Sequence, residues 1–74
     1  MKYVITDKGK ARIGTGYHIN LAKGLPGKVV SAGLCEIDSE GKYRVYGSSL
    51  GFSLNSKPHD ADILNHLFAV DAVK

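Results

Sequence analysis

Lys28-Val29-Val30-Ser31-Ala32-Gly33-Leu34-Cys35-Glu36-Ile37-Asp38-Ser39-Glu40-Gly41-Lys42-Tyr43-Arg44-Val45-Tyr46-Gly47-Ser48-Ser49 carries β-branched and aromatic residues on both sides of a polar turn. The flanks read as two strands, Lys28 to Ile37 and Tyr43 to Ser49. Asp38-Ser39-Glu40-Gly41 between them reads as a type I turn with Gly41 in the left-handed position. In the second strand Tyr43, Val45 and Gly47 share one face, and Arg44, Tyr46 and Ser48 the other. Cys35 alternates with Val29, Ser31, Gly33 and Ile37 and reads as a small buried hydrophobe. Glycine inside a strand weakens pairing, so Gly33 and Gly47 each mark a bulge or the close approach of another backbone or a ligand.

Upstream of this hairpin, Lys2-Tyr3-Val4-Ile5-Thr6 is a β-prone first strand. Asp7-Lys8-Gly9-Lys10 is a turn, and Ala11-Arg12-Ile13-Gly14 returns as a short second strand. A brief helix starts at Thr15 or Gly16 and runs to Lys23, where Gly24-Leu25-Pro26-Gly27 stops it. Downstream, Ser56-Lys57-Pro58-His59-Asp60 is a helix start, with Ser56 or Lys57 at the cap and proline in the first turn. Ile63, Leu64, Leu67 and Phe68 then recur at helical spacing as an apolar face. Phe68-Ala69-Val70-Asp71-Ala72-Val73 either extends that helix or forms a final edge strand. The fold class is α+β: a small antiparallel-rich (mixed) sheet of four to five strands with two helices packed on it.

The 74 residues make one domain, 1–74. A chain this short buries only roughly 60% of its unfolded surface, which leaves no room for a second module. With 43% hydrophobic and 23% charged residues, the composition is that of a folded domain and not of a disordered chain. One cysteine cannot form an internal disulfide, and no Cys and His pair has zinc spacing, so neither a metal nor another cofactor is expected. No apolar run approaches the roughly 20 residues of a membrane span, and Met1 to Asp7 is too short a stretch for a signal peptide. The expected location is cytoplasmic, in a cell or under a virus infecting one. Net charge is +3, but only Lys8, Lys10 and Arg12 cluster, too sparsely for a nucleic-acid stripe.

Two segments offer chemistry. A phosphoryl group wants several main-chain N–H donors converging on its oxygens, and glycine and serine keep bulk away from such a cradle. Ser48-Ser49-Leu50-Gly51 after a strand fits, and so does Gly14-Thr15-Gly16 before a short helix. A neutral imidazole can take a proton from an attacking water, which contributes about 10²–10⁴-fold. His18, at the start of that helix, is the candidate. Gly14-x-Gly16 lacks the third glycine of a dinucleotide fingerprint, and the chain is too short for the paired βαβ halves that motif serves.

Taken in order, Lys2-Tyr3-Val4, Tyr17-His18, Ala32-Gly33, Val45-Tyr46-Gly47-x-Ser49, and His59 with Ile63 resemble the protein histidine phosphatases of the janus/ocnus type. The resemblance spans nearly the whole chain. It implies a small α+β protein that hydrolyses phosphohistidine, or phospholysine, without a metal. It implies His18 as general base, and Ser49, Leu50 and Gly51 as phosphate binders acting largely through main-chain N–H groups. It also implies that Lys2 contacts the phosphate. Leu50-Gly51 replaces the family's usual apolar-alanine pair, and the helix after Tyr17-His18 is shorter than in the family's animal members. Either water attacks phosphorus directly or His18 takes the phosphoryl group itself; both routes stay open. The expected partner is a phosphorylated protein or a small phosphoryl substrate.

Each residue also has a purely structural reading. His18 can cap a helix, Ser48 and Ser49 can end a strand, and Lys2 can guard a sheet edge. Tyr46 can pack on the sheet, while His59 and His66 fall on the polar face of the last helix. Two other functions are therefore carried beside the first. One is a non-catalytic interaction module, cellular or viral, that binds through a sheet edge or the turn at Lys8 to Arg12. The other is a weak nucleic-acid binder using its basic face, with Tyr3, Tyr43 or Tyr46 as stacking platforms.

Overall fold

Strand β1 (Lys2–Thr6) runs up the middle of the sheet, and from Tyr3 to Thr6 it is buried. β2 (Ala11–Gly14) pairs on one side of it and β3 (Val29–Ile37) on the other, with β4 (Tyr43–Tyr46) beyond β3. A computed structural model describes residues 1–68. In it this four-stranded sheet, order β2-β1-β3-β4, is antiparallel at every ladder. Tight turns join β1 to β2 and β3 to β4, while β2 leads through α1 (His18–Ala22) across β1 to β3, which pairs antiparallel with β1 on its other side.

Turn chemistry explains the hairpins. In the first, Thr6 Oγ1 accepts from the N–H groups of Lys8 and Lys10, and Gly9 supplies φ +73°. In the second, Asp38 Oδ1 accepts from Glu40 N–H at 2.8 Å and Lys42 N–H at 3.0 Å, while Gly41 takes φ +80°. Those N–H groups and the Arg44 guanidinium, whose Nε lies 3.0 Å from Asp38 Oδ2, hold the Asp38 carboxyl below its usual range.

Tyr43 to Ser49 is not a single strand: the chain breaks out of the sheet at Gly47, φ +72°. Ser48–Ser49 becomes β5, which pairs antiparallel with an unexpected β6 (Leu54–Asn55) in a separate two-stranded sheet. A left-handed residue cannot continue a pleated strand, so period-2 alternation up to Gly47 does not carry past it. The turn Leu50–Ser53 that joins β5 to β6 is closed by Ser53 N–H donating to Leu50 O at 3.2 Å.

The second helix, α2 (Asp60–Phe68), begins after the Ser56-Lys57-Pro58 segment. Asp60 accepts from Lys57 N–H at 2.9 Å, and Asp60 N–H donates to Lys57 O at 2.9 Å, so one tight turn precedes the helix proper. Leu64 is fully buried, with Ile63 and Phe68 packed beside it; Leu67, expected on the apolar face, is exposed. The continuation or edge strand expected from residue 69 onward lies outside the described residues.

The two faces of the sheet carry two cores. Tyr3, Ile5 and Cys35 pack under α2 against Leu64. Val4 and Ala32, alternate to them, pack with Leu21 of α1 and with Phe52 and Leu54 of the small hairpin. The second face therefore brings α1 and the β5–β6 hairpin together above β1 and β3. That is where the site forms.

Candidate functional site

Lys2 opens β1 on this second face, opposite both Gly14 of β2 and Leu34 of β3. The strand is pinned at that point, since Cys35 N–H donates to Met1 O at 2.8 Å. Lys2 Nζ stands 5.5 Å from the centroid of the Tyr17 ring, a cation–π distance.

His18 is the first residue of α1 and is buried. A five-residue helix has little stability of its own, so its position comes from tertiary ties. Leu21 is buried against Gly14, where a Cβ would sit 2.7 Å from Leu21 Cδ2. The Arg12 guanidinium donates to the carbonyls of Leu21 at 3.2 Å and Lys23 at 2.7 Å, tying α1 to β2.

The imidazole itself is fixed by Gly33. His18 Nε2 lies 2.7 Å from Gly33 O. A carbonyl oxygen only accepts, so Nε2 carries the hydrogen and, in the neutral ring, Nδ1 holds the lone pair. Nδ1 has no hydrogen-bond partner among the described residues, and it is not one of the unpartnered atoms sealed from solvent, Ser49 Oγ and Asp60 Oδ1.

The third part comes from the β5–β6 hairpin. Ser49 pairs with Leu54, which faces the core, and Ser49 is correspondingly buried. In the turn that follows, neither Leu50 N–H nor Gly51 N–H has an acceptor among the described residues. Leu50 is 92% exposed.

These parts surround one pocket of about 430 Å³. Lys2, His18, Leu50 and Gly51 line it, together with Tyr17, Ile19, Leu34 and Ser48. Four of the five site residues named from sequence thus meet. The fifth, Ser49, does not line the pocket; its hydroxyl is turned under the hairpin and its neighbour Ser48 stands at the wall. Residues the sequence did not assign to the site are Ile19 and Leu34, with Gly33 behind His18, whereas Ser48 belongs to the Ser48–Gly51 cradle expected from sequence. Only the strand-interior glycine signalled any of them: a Cβ on Gly33 would come within 2.8 Å of Tyr46 O.

Elsewhere the sequence reading changes. Tyr3, named as a stacking platform, is fully buried with its hydroxyl on Asp60, and cannot stack on a base. Tyr43 is half-buried edge-on to Phe68. A second hollow of about 410 Å³ lies between the Asp38–Lys42 turn and α2, and its charges, Asp38, Glu40, Lys42 and Arg44, are of both signs. No group of three His, Cys, Asp or Glu among the described residues is placed to hold a metal ion. Among the described residues no helix is long and apolar enough to cross a membrane. No protein-family model, curated protein or solved structure matches this chain.

Proposed function

We propose that this chain is a phosphoryl-binding domain of the protein histidine phosphatase kind, which hydrolyses phosphohistidine or phospholysine with His18 as general base. The observation that carries the reading is the meeting of Lys2, His18, Leu50 and Gly51 at one pocket, the last two having N–H groups without an acceptor among the described residues. An ammonium and two free main-chain donors supply what a dianionic phosphoryl group needs, and the free Nδ1 supplies the base.

In the step proposed, a water held by His18 Nδ1 attacks phosphorus in line. The new P–O bond forms as the P–N bond breaks, the water's proton passes to Nδ1, and the departing nitrogen is protonated in turn. Inorganic phosphate and the free side chain are the products. Lys2 and the turn N–H groups stabilise the equatorial oxygens, a role that preorganised donors perform at no reorganisation cost. Gly33 O steadies the ring while it carries the extra proton. The substrate is a phosphorylated protein or a small phosphoryl compound. The single cysteine, a buried thiol, suits a reducing compartment such as the cytoplasm.

The test is phosphate release from a phosphohistidine peptide by wild type and by His18→Ala. A drop of about 10²–10⁴-fold is expected, and equal rates would remove the catalytic assignment. A second reading, binding without turnover, is favoured by Leu50, Tyr17 and Ile19, which expose large apolar surface around the same opening. It predicts no release by wild type, with phosphate still shifting the amide resonances of His18 and Gly51.

A further inference from the structure

The pocket is too large and too apolar for a phosphate ion alone. Its volume of about 430 Å³ falls in the range of small-molecule sites, roughly 300–1,000 Å³. Most of its lining is hydrocarbon, from Leu34 at the floor strand, Ile19 on α1 and Leu50 on the turn. At the same opening Leu50 is 92% exposed, Tyr17 74% and Ile19 58%. Exposed apolar side chains scattered singly need no explanation, but three around one concavity mark a surface that is covered by something. Lys2 is the one charged side chain among the lining residues, and no carboxylate stands with it. The occupant is therefore anionic at one end and apolar at the other.

We propose that the site takes a phosphate monoester, or the equivalent N-linked phosphoryl compound, of an apolar ring-sized group. The phosphate engages Lys2, His18 and the turn N–H groups, while the ring lies against Ile19, Leu34 and Leu50. This rests on the phosphoryl reading above and adds to it that the carrier group, not only the phosphate, is recognised. Ile19 and Leu34 are then specificity determinants. They hold no phosphate oxygen and act only by removing the ring from water.

The experiment titrates the isotope-labelled protein with inorganic phosphate and, separately, with phenyl phosphate, following amide and methyl resonances. Phenyl phosphate is expected to bind about tenfold more tightly than inorganic phosphate, with ring-proton contacts to the Ile19 and Leu34 methyls. In Ile19→Ser, a change at an exposed position, the ratio of the two affinities falls severalfold. Equal affinities for the two ligands, or ring contacts elsewhere, overturn the proposal while leaving phosphate binding at His18 and Gly51 intact. If neither ligand moves the resonances of His18 and Gly51, the phosphoryl reading falls, and this one with it. The methyl contacts in wild type keep the test decisive even where the variant loosens α1.

Discussion

The His18 imidazole donates through Nε2 to the main-chain oxygen of Gly33, 2.7 Å away, so the helix that carries the ring and the strand beneath it share one hydrogen bond. That bond selects the tautomer with Nδ1 free. It also makes the position of β3 part of the position of the ring.

Gly33→Ala tests this dependence. The new Cβ would stand 2.8 Å from Tyr46 O and 3.0 Å from Ser56 Cβ, and a backbone oxygen cannot rotate aside as a side chain can. The strand must shift, carrying Gly33 O with it. Urea denaturation is expected to show a loss of about 1–3 kcal/mol. At temperatures where the variant is still folded, phosphate release should fall by more than the folded fraction explains. An unchanged rate per folded molecule would mean that the ring does not depend on the strand.

Tyr3→Phe addresses the opposite face. The Tyr3 hydroxyl donates to Asp60 Oδ2, and both side chains are fully buried. Without it the carboxylate keeps Lys57 N–H, while its other oxygen has no hydrogen bond and only the exposed His59 ring nearby, Nε2 at 3.9 Å. A loss of about 1–3 kcal/mol is expected at neutral pH. There is also a pH signature. Burial, reinforced by the Asp60 carboxylate, raises the Tyr3 phenol far above its ordinary value, and burial raises the Cys35 thiol. The unfolded chain releases these protons near pH ~10 and ~8.5, while the folded chain still holds them. Stability is then level below those values and falls as pH rises through them. Beyond pH ~10 the phenol contributes a slope of about 1.4 kcal/mol per pH unit. Wild type should show this loss in denaturation midpoints, and Tyr3→Phe should show the smaller, thiol-linked part alone.

Asp38→Ala should behave in the reverse sense at acid pH. The Asp38 carboxyl is held below its usual range by the Lys42 and Glu40 N–H groups and by Arg44. Its contribution is present above the ordinary carboxylate value of ~3.9 and disappears as pH falls through the lower folded value. Thermal midpoints of wild type and variant should differ at pH 6 and converge toward pH 2. A gap that persists at low pH would assign the effect to turn geometry and not to charge.

The hairpin around Asp38 and Gly41 could be read from the sequence because its chemistry is local: an acceptor side chain, two N–H groups and a residue free to take positive φ. Gly47 carries the same kind of information, yet it sits inside an alternating run, and nothing in the run says whether the glycine is tolerated or decisive. It is decisive. The break there rotates the next two residues, so Ser48 faces the pocket and Ser49 the core, and a one-residue change of phase swaps the two serines. Lys2, His18 and Gly51 are distant in sequence and were found through their motifs. Leu34 and Ile19 carry no motif, since an apolar residue on a strand or a short helix looks the same whether it lines a pocket or fills a core. The two-residue β6 is too short to carry any periodic signal.

Arg12 is the residue whose change best separates the site from the fold. It lies on an outer strand with its side chain exposed, and Nη1 donates to Leu21 O and Lys23 O at the end of α1. Arg12→Met keeps the aliphatic stem and removes the donors, leaving two carbonyls to water. The expected cost in global stability is only about 1 kcal/mol, because those carbonyls reach solvent. The helix has five residues and no side-chain cap at its N-terminus, so it should nevertheless open more often. Amide exchange at Asn20 and Leu21, whose N–H groups both donate to Tyr17 O, is expected to quicken several-fold while exchange in β1 and β3 holds. Phosphate release should fall with it, since His18 rides on the same helix. If α1 exchanges faster and release is unchanged, the ring is held by Gly33 alone; if α1 exchange is unchanged, Arg12 is not what fixes the helix.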